Sequence, residues 1–235
     1  AHATRNVRLA AVHAFARYVA MCEPEHLATS QRVLAVPFKR APVRAVDYLE
    51  GDEFQAMLGA TDRTTPEGRR DYTLLLTLFN TGARVQELLD LRPIDLQLER
   101  PLQVRLVGKG RKERCLPLWK QTSTALRSWL AVRGQTHTPE LFVNARREPM
   151  SRAGFEYILD KYVHVASQSC PSLAGKRVSP HVLRHTCALT MLEASKDIRK
   201  VSLWLGHAHM QTTEMYIRAD PSIRLEALNA TTAPN

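Results

Sequence analysis

The sequence predicts a mainly α-helical protein with a small antiparallel β-sheet, an α+β fold. Apolar residues recur at intervals of three and four through most of the 235 residues, the spacing that gives a helix one buried face. Residues 102–118 instead alternate apolar and polar residues on both sides of a glycine-flanked turn, as a β-hairpin does. The apolar fraction of 44% is sufficient for a packed core around that hairpin.

The charge balance favours an anionic partner. The formal net charge is +10 at pH 7, and nucleic acid is the commonest partner of so basic a chain. Charge alone leaves open an ordinary basic enzyme. The 4 cysteines have no paired short spacing, so we expect reduced thiols, with Cys187 in the core. No apolar stretch is long enough to cross a membrane.

The first 42 residues are predicted to form a helical piece followed by a linker. Residues 4–22 and 24–34 have helical spacing, and Pro24 starts the second helix. A Pro-rich, basic stretch follows, so we place a domain boundary between residues 42 and 43. The apolar side of the first helix consists of Val7, Leu9, Ala10, Val12, Phe15, Ala16 and Val19.

Basic residues are concentrated in this first piece. They form either a solvated helical face or a set of contacts to DNA phosphates, and the motifs downstream favour the phosphate contacts. Two basic residues of the hairpin are candidates for the same role. The predicted DNA-binding residues are Arg5, Arg8, Lys39, Arg40, Arg111 and Lys112.

From residue 43 onward, start and stop residues mark the helices. Residues 50–60 have acidic residues in their first turn, where the helix dipole favours them. Pro66 begins the next helix and Gly82 ends it, with a leucine-rich middle that should be buried. Further helices are predicted over residues 83–91, 119–133, 151–168 and 221–230.

Two strand signals interrupt these helices. In the hairpin, Val104 and Leu106 lie before the turn at Gly108, Lys109 and Gly110, and Cys115, Leu116 and Leu118 lie after it. Residues 141–144 predict a short further strand. The most informative stretch is residues 179–220, predicted to run as an apolar helix to Leu205 and Gly206 and to end on a short helical pattern that contains Tyr216.

The residue types in this stretch suit cleavage of a phosphodiester without a metal. His181 and Arg184 are three apart, which places both on one face of a helix. Two guanidinium groups clamp the non-bridging oxygens, and further donors neutralise the charge of the transition state. A nucleophile and an acid complete the reaction. The candidates for these roles are Arg84, Lys109, His181, Arg184, His207 and Tyr216.

With these residues in view, the chain resembles the tyrosine recombinase (phage integrase) family over residues 47–220. The segment TGARVQELL resembles the family's first-arginine box, with Arg84 on the arginine, and VGKGRKERCLPL resembles its hairpin, with Lys109 on the catalytic lysine. HVLRHT resembles the His-x-x-Arg box. LGHAHMQTTEMYIRAD resembles the final box, with His207 and the nucleophile Tyr216. All six family positions are filled, in the family's order.

The resemblance implies a fold like the tyrosine recombinase catalytic domain for residues 43–235. It identifies residues 1–42 as the end of a core-binding, DNA-binding domain. Only some of that domain's helices are present, so we expect the chain to be a fragment of a longer protein. The implied partners are double-stranded DNA and further copies of the chain, as a tetramer on DNA and a monomer when free. No cofactor, metal or membrane is implied, and the expected location is cytoplasmic, with the nucleoid.

The resemblance also implies a mechanism. DNA enters a positive cleft between the two domains, and Tyr216 attacks the scissile phosphate to form a 3′-phosphotyrosyl bond. His181 is the candidate for accepting the tyrosine proton, and Lys109 protonates the 5′-oxygen as it leaves. A free tyrosine has a pKa of about 10, and neighbouring cations are expected to favour the phenolate.

Several alternatives stay open at this point. The chain is alternatively a type IB topoisomerase, a DNA-binding protein without catalysis, or a zinc hydrolase that uses His181 and His185. His185 is otherwise expected to face the core or a backbone carbonyl. Glu87 is expected either to form a surface pair with Arg84 or to hold it in place. Lys112 and His209 are rivals for the roles of Lys109 and His207.

Overall fold

A computed structural model describes residues 2–40 and 47–206, together with Thr213 and Tyr216 and without the side chains of Ala3 and Lys109. The chain divides into two units, Ala1–Ala45 and Val46–Asn235. The sequence placed this boundary between residues 42 and 43, and the assignment of the first unit to a DNA-binding domain stays a prediction. Within the described ranges, no helix combines the length and the apolarity needed to span a lipid bilayer.

The first unit contains two helices and a segment that returns along the first of them. Helix α1 spans His2–Cys22 and α2 spans Leu27–Leu34, with a 3₁₀ turn at Pro24–His26 between them. The Asn6 side chain donates to the Lys39 carbonyl over 2.8 Å and accepts from the Lys39 N–H over 3.1 Å. This pair of hydrogen bonds fixes the start of the predicted linker against α1.

The predicted apolar side of α1 is largely exposed. Val7 and Phe15 are 71% and 68% exposed, and Ala16 is the member of that set that is buried. Helical spacing correctly predicted the helix, but spacing does not show whether a partner element is present to cover its apolar side.

The second unit is mainly helical, as predicted. Side-chain caps begin several of its helices, for example Thr65, which accepts from the Gly68 N–H over 3.1 Å, and Ser151, which accepts from the Gly154 N–H over 3.0 Å. The helices are α3 (Gly51–Gly59), α4 (Pro66–Thr81), α5 (Val85–Leu89), α6 (Lys120–Arg133), α7 (Arg152–Ala166), α8 (Pro180–Ser195) and α9 (Ile198–Leu205). The predicted helix at 221–230 lies outside the described residues.

The hairpin is confirmed and belongs to a small antiparallel sheet in the order β1-β2-β3. Strand β1 is Leu96–Gln97, β2 is Gln103–Val107 and β3 is Glu113–Pro117. Strand β1 was not predicted because two residues are too short for an alternating pattern. The register pairs Val104 with Leu116 and Leu106 with Arg114. Residues that pair directly share one face of a sheet, so Arg114 lies on the inward face, and Cys115, predicted to flank the turn as an apolar residue, is exposed.

Helix α4 lies in the centre of the core. Its leucines are buried as predicted, and its polar residues connect it to other elements. The buried Asp71 carboxylate accepts from the Tyr162 hydroxyl of α7 over 3.0 Å. The Asn80 carbonyl accepts from the Trp204 indole of α9 over 3.3 Å. The first contact joins the N-terminal half of α4 to α7, and the second sets its C-terminal end beside α9.

Two sequence predictions are wrong in this unit. Residues 141–144 make only one isolated bridge, Val143 to Pro149, because the Asn144 side chain accepts from two following backbone N–H groups and closes a tight turn. The helix predicted to run on to Leu205 ends instead at Ser195. Lys196 has a left-handed backbone (φ 51°), and Asp197 caps the new helix α9 through the Arg199 N–H over 2.8 Å.

Candidate active site

Arg84 is fixed by the carboxylate of Glu87, one helical turn later. Glu87 Oε2 accepts from the Arg84 backbone N–H over 2.9 Å, and Oε1 accepts from Arg84 Nη1 over 2.8 Å. The Glu87 side chain is 4% exposed, whereas that of Arg84 is 41% exposed. Glu87 therefore holds the base of Arg84 in place, as one of the two sequence interpretations had it, and leaves part of the guanidinium accessible.

A second arginine, Arg114 of β3, reaches the same carboxylate. Its Nη2 donates to Glu87 Oε2 over 2.6 Å. Burial alone would raise the pKa of Glu87, but the hydrogen bonds from Arg114 and Arg84 outweigh it and leave that pKa lowered. Glu87 is thus a buried, charged group that two arginines share.

Arg184 is buried in α8 and held by two backbone carbonyls. Its Nη1 donates to the Gly82 carbonyl, and its Nη2 donates to the Leu205 carbonyl over 2.8 Å. Both acceptors end helices, where carbonyl groups lack intrahelical partners. Gly82 has a left-handed backbone (φ 56°) at the end of α4, which turns its carbonyl toward Arg184. Arg184 therefore joins the ends of α4 and α9.

Tyr216 is buried and contacts α8 through its hydroxyl. The Tyr216 Oη lies 2.9 Å from Nδ1 of His185, and the two rings meet edge to face. The sequence predicted that His185 faces the core or a backbone carbonyl, and its partner is the buried Tyr216, a member of a core cluster. The side chain after Arg184 in α8 thus contacts the candidate nucleophile.

Burial dominates the protonation of these groups. It raises the pKa of Tyr216 to about 12, and the positive charge of Arg184 offsets only part of that rise. Arg184 thus favours the phenolate, as expected of a nearby cation, but burial favours the neutral phenol by more. Burial, together with the neighbouring His181 and Arg184, lowers the pKa of His185 to about 4. Burial and the charge of Arg84 lower the pKa of Arg184 to about 10.

The remaining candidate residues are described in part. His181 is exposed in the first turn of α8, and Lys109 begins the 3₁₀ turn Lys109–Arg111 at the tip of the hairpin, with its side chain outside the described atoms. His207 and its rival His209 lie outside the described residues. Of the predicted DNA-binding residues, Arg8, Lys39, Arg40, Arg111 and Lys112 are exposed, and Arg5 donates to the Pro37 carbonyl.

The sequence did not predict the roles of two residues at this site, Arg114 and His185. Arg114 alternates with Leu116 and Leu118, and that alternation is the signal that would have placed an arginine on the inward face. For His185 the sequence has no comparable signal, because its contact with Tyr216 depends on how a segment 31 residues further along the chain folds. Within the described part of the chain, no three His, Cys, Asp or Glu side chains are grouped to hold a metal ion.

Comparison with known proteins shows which family the second unit belongs to. Residues 47–222 match the model of the phage integrase family. A putative integrase/recombinase of Sinorhizobium fredii, y4rC, is 44% identical over 231 residues, which cover 98% of this chain and 69% of that protein. Tyrosine recombinase XerC of Pelobacter propionicus is 35% identical over 216 residues, 89% of this chain and 66% of that protein. The chain thus spans about two thirds of the length of these relatives.

Solved structures give the same fold. The crystal structure of XerA recombinase superposes with a TM-score of 0.69 and 28% identity, over 87% of this chain and 72% of that chain. The post-cleavage complex of XerH site-specific recombinase with its palindromic difH substrate superposes with a TM-score of 0.68 and 24% identity, over 80% of this chain and 54% of that chain. The predicted fold class is confirmed.

Proposed function

The chain belongs to the phage integrase family and carries the catalytic domain of a tyrosine recombinase, and from this premise we propose that it cleaves and rejoins DNA strands at specific sites through a 3′-phosphotyrosyl intermediate. One observation carries the proposal: Arg184 donates to the carbonyl of Gly82, two residues before Arg84, and the next residue of α8, His185, lies 2.9 Å from the Tyr216 hydroxyl. Two guanidinium groups and a phenol are the groups that transfer of a phosphodiester to tyrosine needs.

The two arginines stabilise the charge on the scissile phosphate. A guanidinium has five N–H donors in a fixed plane. Arg184 uses one donor on each of two carbonyls, which orients the plane and leaves three donors for non-bridging oxygens. Arg84, half-exposed and anchored by Glu87, contributes the second guanidinium. His181 and His207 complete this set of donors.

The covalent step exchanges one phosphate ester for another. The Tyr216 oxygen attacks phosphorus, the bond to the 5′-oxygen breaks, and the phenolic proton passes to a histidine. Because the pKa of Tyr216 is about 12, the proton stays on the phenol until the attack. His181 is the candidate acceptor from sequence, and His185 is the group already in contact with the hydroxyl. Lys109 protonates the departing 5′-oxygen, and the 5′-hydroxyl of a second strand reverses the step.

Double-stranded DNA is the proposed partner, with a tetramer of the chain assembled on it. The relatives named above are integrases and recombinases, one of them captured on its own DNA substrate. The exposed cations Arg111 and Lys112 at the hairpin tip suit contact with phosphates. No described contact specifically favours the topoisomerase alternative.

A nicked suicide substrate tests the proposal. Strand cleavage next to the nick releases a short product and traps the enzyme on DNA. We expect wild-type protein to form a denaturant-stable adduct, also in EDTA, and Tyr216→Phe to form none while it still binds DNA. Tyr162→Phe is the matched control, since it also removes one buried hydroxyl, bonded to Asp71, and should keep adduct formation. An adduct on Tyr216→Phe, or a dependence on added zinc, contradicts the proposal.

A further inference from the structure

Arg114 is a largely buried cation on the inward-facing side of strand β3, where an apolar side chain is usual. It pairs with Leu106 in the register and so points to the inward face of the sheet, where Leu106 is completely buried. Its side chain is 13% exposed. A cation in such a place is costly unless it is paired, so its presence calls for a specific contact.

That contact is the carboxylate that holds Arg84. Glu87 Oε2 accepts both from Arg114 Nη2, over 2.6 Å, and from the Arg84 backbone N–H, over 2.9 Å. Oε1 is left to the Arg84 guanidinium, over 2.8 Å. Without Arg114 the Glu87 carboxylate would lose its shortest charged hydrogen bond and would be held by Arg84 alone. The geometry of Arg84 therefore depends on a residue that does not touch it.

The same side chain is packed between two glycines that precede candidate catalytic residues. A Cβ on Gly206, the residue before His207, would lie 3.1 Å from Arg114 Cδ and 3.3 Å from its Nε. A Cβ on Gly108, the residue before Lys109, would lie 2.9 Å from Glu87 Oε1 and 3.7 Å from Arg114 Nη1. Arg114 thus lies beside Gly206 at the end of α9 and beside the hairpin tip while it binds Glu87.

We propose that Arg114 is a positioning residue of the active site, which orients Arg84 through Glu87 and keeps the hairpin and the Gly206 turn in register with it. This inference rests on the proposed function. It assigns Arg114 no contact with the phosphate, because the side chain is only 13% exposed and its Nη2 donates to Glu87. Its effect must therefore fall on the rate of cleavage rather than on the affinity for DNA.

The test compares Arg114→Met with Arg105→Met. Both variants replace an arginine of the same hairpin by an unbranched apolar side chain, but Arg105 is half-exposed and pairs with Asp95 and Glu113. We expect Arg114→Met to form the adduct about 10- to 100-fold more slowly at saturating DNA, the cost of a misplaced catalytic group, with unchanged DNA affinity. Arg105→Met should cleave at the wild-type rate. Equal rates for wild type and Arg114→Met, or a loss confined to affinity, overturn the inference alone, whereas a wild-type protein without an adduct overturns the proposed function.

Two further measurements separate positioning from a general loss of structure. Glu87→Gln in the Arg114→Met background should cost little beyond the single variants, because both act through one contact. If the rate loss of the double variant equals the product of the two single losses, the two residues act independently and the inference is contradicted. Arg114→Lys keeps a charge but not the fork, so it should lie between wild type and Arg114→Met. If Arg114→Met does not fold, the same assay compares the cleavage rates of Arg114→Lys and Arg105→Lys. Equal rates for these two variants overturn the inference.

Discussion

The hydroxyl of the buried Tyr216 and Nδ1 of the partly buried His185 are 2.9 Å apart. Burial favours the neutral form of both groups, since the pKa of the phenol is about 12 and that of the imidazole about 4. At neutral pH the pair is therefore an uncharged hydrogen bond. Arg184 lies one residue before His185 in the same helix, so the pair holds the candidate nucleophile beside the candidate phosphate clamp.

The first prediction concerns the pH dependence of stability. The folded pKa of His185 lies below its usual value of 6.5, so the unfolded chain binds this proton first. The stability that neutral His185 contributes is complete above about pH 6.5 and is lost as the pH falls toward 4. In urea unfolding, His185→Gln should therefore lose less stability than wild type between pH 7 and pH 4, with a difference of about 1 to 3 kcal/mol. Parallel curves for the two proteins contradict the buried, neutral histidine.

Secondary structure was largely predictable from the sequence because local signals fix it. Thr65 and Pro66 begin α4 and Gly82 ends it, as their chemistry requires. The break at Lys196 was not predicted, because an apolar pattern continues across it and only the Asp197 cap marks the new helix. Burial of the apolar side of α1 could not be judged either, since it depends on partners rather than on periodicity.

The second prediction concerns Arg184. Its two carbonyl contacts require a planar fork, and a lysine ammonium cannot reach both acceptors in the same way. We expect Arg184→Lys to cleave a suicide substrate at least about 100-fold more slowly, the typical loss of a transition-state donor, with a much smaller change in DNA affinity. Cleavage near the wild-type rate would remove Arg184 from the proposed clamp.

The third prediction concerns Gly82, which supplies one of those carbonyls. Its backbone is left-handed, and a Cβ there would lie 2.6 Å from Leu205 Cδ2 and 3.0 Å from Cys187 Sγ. Gly82→Ala should lower the free energy of unfolding by about 1 to 3 kcal/mol and reduce cleavage. Gly175→Ala is the control, because Gly175 also has a positive φ but no atom within 4 Å of the added Cβ. Equal losses for the two variants would mean that backbone strain, and not the crowded contact, sets the cost.

The fourth prediction concerns DNA affinity. If Arg111 and Lys112 contact phosphates, each contact releases counterions, and the log–log salt slope of binding falls by about 0.9 for each one removed. The double variant Arg111→Ala, Lys112→Ala should show this reduced slope. Arg152→Ala removes an exposed arginine that is paired with Glu156 and should leave the slope unchanged. An unchanged slope in the double variant would exclude these two contacts.

The candidate site was predictable only as a set of residue types. Arg84, Arg184 and Tyr216 were proposed because each falls in a motif, and their shared role stays a prediction. Sequence could not foresee the direction of the Tyr216 pKa, since charge counting omits the burial that determines it. Arg114 was missed because a cation inside an alternating strand looks like a surface residue until its pairing partner is known.

The last prediction concerns Lys109, at the tip of the hairpin between Gly108 and Gly110. If it is the general acid, its task is to protonate the 5′-oxygen as that oxygen leaves. A 5′-bridging phosphorothiolate does not need this proton, because a thiolate leaves readily without it. Lys109→Ala should therefore cleave ordinary DNA slowly and the phosphorothiolate at near the wild-type rate. Arg184→Ala should be slow on both substrates, since its donors act on the non-bridging oxygens. Equal defects of Lys109→Ala on the two substrates would indicate a positioning role, and the same pair of substrates would then test Lys112→Ala.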